Sequence, residues 1–173
     1  MNFNPGKKEK LFNQILAENR HAFWRICCSW FKEHDLREDL FQDIVSEIWS
    51  SMERFKERSS WSTFVYRIAL NTAIKSKMKL KKRKLKEVSL SESVMEPVFE
   101  DSTHQKLKTE NQIEKMYSCM QKLPDSDRML LSLVLEDLSY REIAVILDTN
   151  VNATGVRINR SKKRLMQKME EQG

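Results

Sequence analysis

Residues that break helices are scarce in this chain, and that scarcity restricts its fold more than any other feature. Among 173 residues there are three glycines and three prolines. Inside a helix these two cost about 1 and about 3 kcal/mol relative to alanine, and turn-rich sheet proteins depend on them. The remaining composition leans toward Leu, Ile, Lys, Glu and Met, all compatible with long helices. An all-α fold is expected. The length suffices for one ordinary domain or two small ones, each with a modest core.

Charge chooses between those options. The formal net charge of +6 conceals a segregation along the chain. Residues 10–86 carry 17 Lys/Arg against 9 Asp/Glu, residues 87–110 carry 2 against 6, and residues 111–173 carry 10 against 9. A concentrated basic segment has a polyanion as its simplest partner. Residues 87–110 lack sustained apolar periodicity and contain Ser89, Ser91, Ser93 and Pro97. They are expected to be a flexible acidic linker between two small helical domains, residues 1–86 and 111–173. Fully extended, that many residues reach about 80 Å.

Apolar periodicity places the helices. From Leu11, the positions Phe12, Ile15, Asn19, Phe23, Ile26 and Trp30 recur at three- and four-residue steps, with Asn19 breaking the stripe. A second stripe, Leu40, Phe41, Ile44, Val45, Ile48, Trp49 and Met52, predicts a helix ending near Phe55. Ser59 and Ser60 then precede a third helix bearing Phe64, Val65, Ile68, Ala69 and Ala73. It continues into eight Lys or Arg residues between Lys75 and Lys86, where repulsion between like charges predicts fraying. After the linker come Ile113, Met116, Tyr117, Met120 and Leu123, and Pro124-Asp125 opens a helix with Met129, Leu130, Leu133 and Val134.

Ser139 and Glu142 have capping-box spacing ahead of Ile143, Ala144 and Leu147. The turn Asp148-Thr149-Asn150 leads to a basic helix in which Val151, Thr154, Ile158, Ser161 and Leu165 share a side. A short helix, a tight turn and a longer basic helix make a helix-turn-helix, whose second helix can enter the major groove.

Other classes find little support. No apolar run approaches the roughly 20 residues that span a bilayer, and residues 1–10 lack a signal-peptide apolar stretch, so a cytoplasmic location is expected. Cys27, Cys28 and Cys119 have no zinc-site spacing and read as buried small hydrophobes. There is no P-loop and no set of paired metal ligands, and His21, His34 and His104 form no constellation, so neither enzyme activity nor a cofactor or metal is expected.

The segment Leu138-Ser-Tyr-Arg-Glu-Ile-Ala-Val-Ile-Leu147, with Asp148 to Leu165 after it, resembles the −35-reading domain of bacterial sigma factors. Response regulators of the LuxR type carry similar units, which keeps a stand-alone DNA-binding regulator as the alternative. The first half favours the sigma reading. Glu38-Asp-Leu-Phe-Gln-Asp-Ile44 is similar to the clamp-binding helix of the extracytoplasmic-function (ECF) group. Arg54-Phe55 and Tyr66-Arg-Ile-Ala-Leu-Asn-Thr-Ala73 are similar to that group's loop and helix for the −10 element.

The resemblance implies an alternative sigma factor that joins core RNA polymerase, recognises promoters, melts DNA and starts transcription. Residues 1–86 would be region 2 and residues 111–173 region 4, with an anti-sigma factor as a further partner. Asp39, Gln42, Asp43 and Glu47 lie off the apolar stripe and would dock on the clamp of the largest subunit, while region 4 would meet the flap of the second-largest. Arg58, Trp61, Tyr66, Arg67, Asn71 and Lys75 are the −10 candidates, although Trp61 and Tyr66 also read as core. Asn152, Val156, Arg157, Asn159, Arg160 and Lys163 are the −35 candidates, with Arg160 foremost because arginine can donate two bonds to guanine. Two positions depart from the family pattern. Gly155 stands where a basic residue is common, and Asp148 replaces a frequent glycine.

Overall fold

A computed structural model describes residues 5–56, 59–90 and 108–172. Among these residues there is no strand. Helix α1 spans Pro5–Trp30, α2 His34–Ser51 and α3 Trp61–Leu90, with a single 3₁₀ turn at Met52–Arg54 after α2. Helices α4 (Lys108–Gln121), α5 (Asp125–Val134), α6 (Tyr140–Ile146) and α7 (Val151–Glu170) follow.

The stripes become cores. Ile15, Phe23, Ile26 and Trp30 of α1 are buried against Leu40, Ile44, Ile48 and Met52 and against Val65, Ala69 and Ala73 of α3. Asn19, the break in the α1 stripe, donates to Ile15 O at 2.9 Å and so is satisfied within its own helix. Helix α1 begins six residues before the expected Leu11, because Pro5 suits a first turn, where its missing N–H costs nothing. Ser60 caps α3, its Oγ accepting from the Thr63 N–H at 3.1 Å.

Instead of fraying, α3 runs for 30 residues to Leu90. Its basic half consists mostly of straight-chain helix formers, whose propensity outweighs the repulsion of solvated charges. Helix α4 starts at Lys108, so helix occupies both ends of the expected linker, and residues 91–107 lie outside the described residues.

In the second unit the local signals hold closely. Pro124 precedes α5, the Ser139/Glu142 capping box opens α6, and Asn150 Oδ1 accepts from the Ala153 N–H at 2.7 Å to open α7. Asp137 and Asp148, which follow the ends of α5 and α6, have φ of 53° and 52°. Aspartate is among the few non-glycine residues that enter this left-handed region routinely. Asp148 therefore adopts the conformation for which a glycine would ordinarily stand there.

Arg128 is buried and closes the α4 end, donating to Met120 O at 3.1 Å, to Leu123 O at 2.9 Å and to Gln121 O. Asp127, also buried, accepts from Ser161 Oγ at 2.9 Å and Arg164 Nη1 at 2.6 Å, which ties α7 to α5.

The two units pack on each other. Leu130, Leu133, Ile143, Ile146 and Ile158 share one continuous core with Phe23, Ile26, Tyr66 and Leu70. Polar contacts border this seam. Ser29 and Ser132 share a buried hydrogen bond at 2.8 Å, Gln121 donates to Cys28 O at 2.8 Å, and Lys77 pairs with Asp125. The three cysteines are buried and free, and burial pushes the Cys27 and Cys28 thiols upward.

Candidate nucleic-acid and partner interfaces

Helix α2 turns Leu40, Ile44 and Ile48 inward, which leaves Asp39, Gln42 and Asp43 exposed on the opposite side. Glu47 is partly covered, lying 3.6 Å from Arg54 and accepting weakly from Ser51 Oγ at 3.4 Å. Beside this polar face lies an apolar groove between α1 and α2, lined by Phe12, Phe41, Val45 and Trp49. Trp49 is 39% exposed, meets Phe12 edge-on at 5.0 Å and carries Lys8 Nζ 4.2 Å above its ring. Periodicity placed Trp49 with the core stripe. It stands at the edge of the stripe, where the helix face meets solvent.

The −10 candidates divide. Trp61 stacks on Phe55 with ring centroids 3.8 Å apart and also packs on Phe64, so its ring is half-buried at the head of α3. Tyr66 is 6% exposed and meets Phe23 edge-on; burial, reinforced by the charge of Glu136, pushes its phenol up to about 12. Arg67 donates from Nε to Ile146 O at 2.9 Å and from Nη2 to Val145 O, at the carbonyl end of α6. A guanidinium fork suits these open carbonyls and the negative end of the helix dipole. Asn71 and Lys75 are exposed, and Arg58 lies outside the described residues. The basic run beyond Lys75 is largely solvent-facing, except that Lys77 is half-buried by its pairing with Asp125.

The −35 candidates stay together. Thr154, Ile158 and Ser161 anchor the inner side of α7, while Asn152, Val156, Asn159, Arg160 and Lys163 are exposed, and Arg157 is partly covered at their flank. Gly155 belongs to neither group. A Cβ built there would lie 3.4 Å from Tyr140 Cδ2, in ordinary contact, and its φ is not positive. The glycine sits where α7 passes the aromatic ring at the start of α6.

One pair across the seam escaped the sequence entirely. Arg25 Nε donates to Glu136 Oε1 at 2.8 Å and its Nη2 to Oε2, a two-pronged ion pair between residues 111 positions apart. The Glu136 side chain is only 4% exposed, and its hydrogen bond raises the Arg25 pKa. Among the described residues, no group of His, Cys, Asp and Glu side chains is placed to hold a metal ion, and no helix is long and apolar enough to cross a membrane.

Comparison with known proteins agrees with this layout. The family models for Sigma-70 region 2 and Sigma-70 region 4 match residues 15–83 and 113–165, in that order. Together they take in well over half of the chain. It belongs to the sigma-70 family of transcription initiation factors. Within it, the chain is similar to the ECF RNA polymerase sigma-E factor of Escherichia coli (strain K12), 25% identical over 182 residues that cover 94% of this chain and 88% of the relative. The sigma-E factor of Haemophilus influenzae is likewise 25% identical, with 94% and 89% covered.

Among solved structures, the sigma factor RpoE of Bartonella quintana, in complex with the anti-sigma factor NepR, superposes with a TM-score of 0.67 at 20% identity, over 93% of this chain and 98% of that one. CnrH in complex with the cytosolic domain of CnrY gives 0.66 at 19%, over 95% and 91%. These findings support an alternative sigma factor of the ECF type, which directs transcription initiation.

Proposed function

We propose that the two matched segments divide the work of initiation, and that the candidate residues carry it. Residues 1–86 dock on core polymerase and read the −10 element, residues 111–173 read the −35 element, and residues 87–110 link them. The observation that carries this reading is the orientation of α2 and α7. In both helices the candidate side chains stand on the solvent side of a helix whose other side is buried.

On α2, Asp39, Gln42 and Asp43 offer an acidic face to the polymerase clamp, where complementary charge fixes register and speeds encounter. On α3, Asn71 has both donor and acceptor for the edge of an extruded base, and Trp61 supplies an aromatic surface. The lysines from Lys75 onward meet duplex phosphates and confer salt dependence. On α7, Arg160 reads guanine, with Asn152, Val156, Arg157, Asn159 and Lys163 around it. The chain acts in the cytoplasm, without catalytic chemistry and without a cofactor. An anti-sigma factor is a further partner, a reading supported by the solved relative held by NepR.

Reversal of Asp39 and Asp43 to lysine tests the docking face. Both are exposed, so folding should change by about 0.5 kcal/mol or less. Binding to core polymerase should collapse, because like charges across a docked interface cost several kcal/mol. Circular dichroism with a core pull-down reads both effects, and a folded double variant that binds core as tightly as the wild type would remove this face from the proposal.

A further inference from the structure

We infer that Val156 reads the C5-methyl group of a thymine in the upstream promoter element, so that recognition there depends on a methyl group as well as on hydrogen bonds. The inference rests on the reading that α7 enters the major groove at the −35 element. Successive residues of an α-helix turn by about 100°. Val156 lies two positions from both Thr154 and Ile158, which are fully buried, and so points about 200° away from the inner side of α7. It is 51% exposed and joins neither core.

Its neighbours on that outer side are Asn152, Asn159, Arg160 and Lys163, all exposed and three, four or seven positions away. Among the described residues, none of these four side chains has a hydrogen-bond or ion-pair partner. Two other apolar residues of α7 are exposed, Val151 and Met166. Val151 is turned about 140° from Val156, and Met166 stands about 15 Å farther along the axis, past the amino-terminal half with which a recognition helix contacts bases.

A single exposed valine is ordinary on a protein surface. This one sits among side chains of the types that read base edges, since amides suit adenine N6 and N7 and a guanidinium suits guanine O6 and N7. Valine can answer neither. Placed over a donor or an acceptor, it would displace water and return no hydrogen bond, which is unfavourable. Of the groups that base pairs display in the major groove, the thymine methyl alone is apolar. Branching at Cβ already restricts the valine rotamer in a helix, so contact costs it little further freedom. The consequence reaches past thymine. A cytosine methylated at C5 carries its methyl at the same ring position and should substitute in part, whereas uracil, which pairs as thymine does, should not.

The full chain with core polymerase tests this on a duplex pool of random sequence. The best-bound duplex is remade with uracil in place of each upstream thymine in turn, and then with cytosine or 5-methylcytosine, paired with guanine, at the thymine that responds. Uracil at one position should weaken binding about fourfold, the worth of one buried methyl group. Cytosine should weaken it further, and 5-methylcytosine should recover about that same factor. Val156→Ala, which removes both γ-methyls, should bind thymine and uracil duplexes equally, with circular dichroism verifying its fold.

Equal binding of thymine and uracil duplexes by the wild type at every position would overturn the inference. So would a selected upstream element without thymine on either strand, or a uracil penalty undiminished in Val156→Ala. Arg160→Ala separates this failure from that of the proposed function. If it relaxes base preference while no thymine methyl matters, the methyl contact alone falls; if the pool yields no preferred upstream sequence, the −35 role of α7 falls and this inference with it.

Discussion

Helices α3 and α7 are both proposed to meet promoter DNA, yet the protein presents them differently. The candidates on α7 form a nearly continuous exposed face, with Val156, an apolar residue, 51% exposed at its centre. Those on α3 are split, with Asn71 and Lys75 in solvent, Tyr66 in the core and Arg67 bound to α6. The face of α7 follows from its own unit, because the helix-turn-helix turns that side outward and the Asp127 network holds it there. The state of α3 is set by its neighbour, since residues of α6 cover it. One surface is local property, and the other depends on how two units sit together.

That contrast is sharpest in paired substitutions. For the free chain on a −35 duplex, Arg160→Ala should weaken binding by about 1 to 3 kcal/mol, while Asn71→Ala should leave it unchanged. On polymerase the second variant should instead impair melting, visible as lost permanganate reactivity of unpaired thymines. Unchanged affinity and base preference in Arg160→Ala would break the comparison at its α7 end.

A smaller effect separates packing from DNA approach at Gly155. The added methyl of Gly155→Ala would meet Tyr140 at ordinary contact distance, so the variant should gain up to about 1 kcal/mol in urea denaturation. DNA affinity should be unaffected. A more stable variant with weaker −35 binding would show instead that the glycine makes room for the duplex.

The smallest expected effect is a pH dependence confined to α6. Hydrogen bonds from the Ser139 hydroxyl and N–H lower the Glu142 pKa. A lowered folded pKa stabilises above the unfolded value and loses that contribution as pH falls through the folded one. Cap stability should be level at neutral pH and decline only as acidification passes below the ordinary glutamate range. Glu142→Gln should flatten that portion of the stability profile. Because Glu142 is exposed, the change should be slight.

Features encoded within a few residues were legible in the sequence. Ser60, the Ser139/Glu142 box and Asn150 signal helix starts through side chains that reach only three positions along the chain. The stripes of α1, α2 and α5 likewise announce an apolar side. They do not say what covers it, so Leu130, Leu133 and Ile143 give no hint that they share a core with Phe23 and Ile26. Arg67 illustrates the same limit among polar residues, since a guanidinium serves a phosphate, a base or a helix end equally well. Helix α3 runs longer than like-charge repulsion alone predicts, because the helix propensity of its lysines outweighs that repulsion.

The buried cysteines have a practical consequence. Cys28 borders α4, where Tyr117 has its phenol pushed up to about 12 by burial and then by that neighbouring sulfur, and the Cys28 carbonyl takes the Gln121 amide from the same helix. Cys27, one residue away, sits wholly inside the core. Alkylating reagents attack thiolates that solvent can reach, and both thiols are shielded and held protonated. The chain therefore carries a built-in pair of chemical clocks: Cys28 is timed by parting of the seam, whereas Cys27 keeps the slower time of the whole fold coming undone.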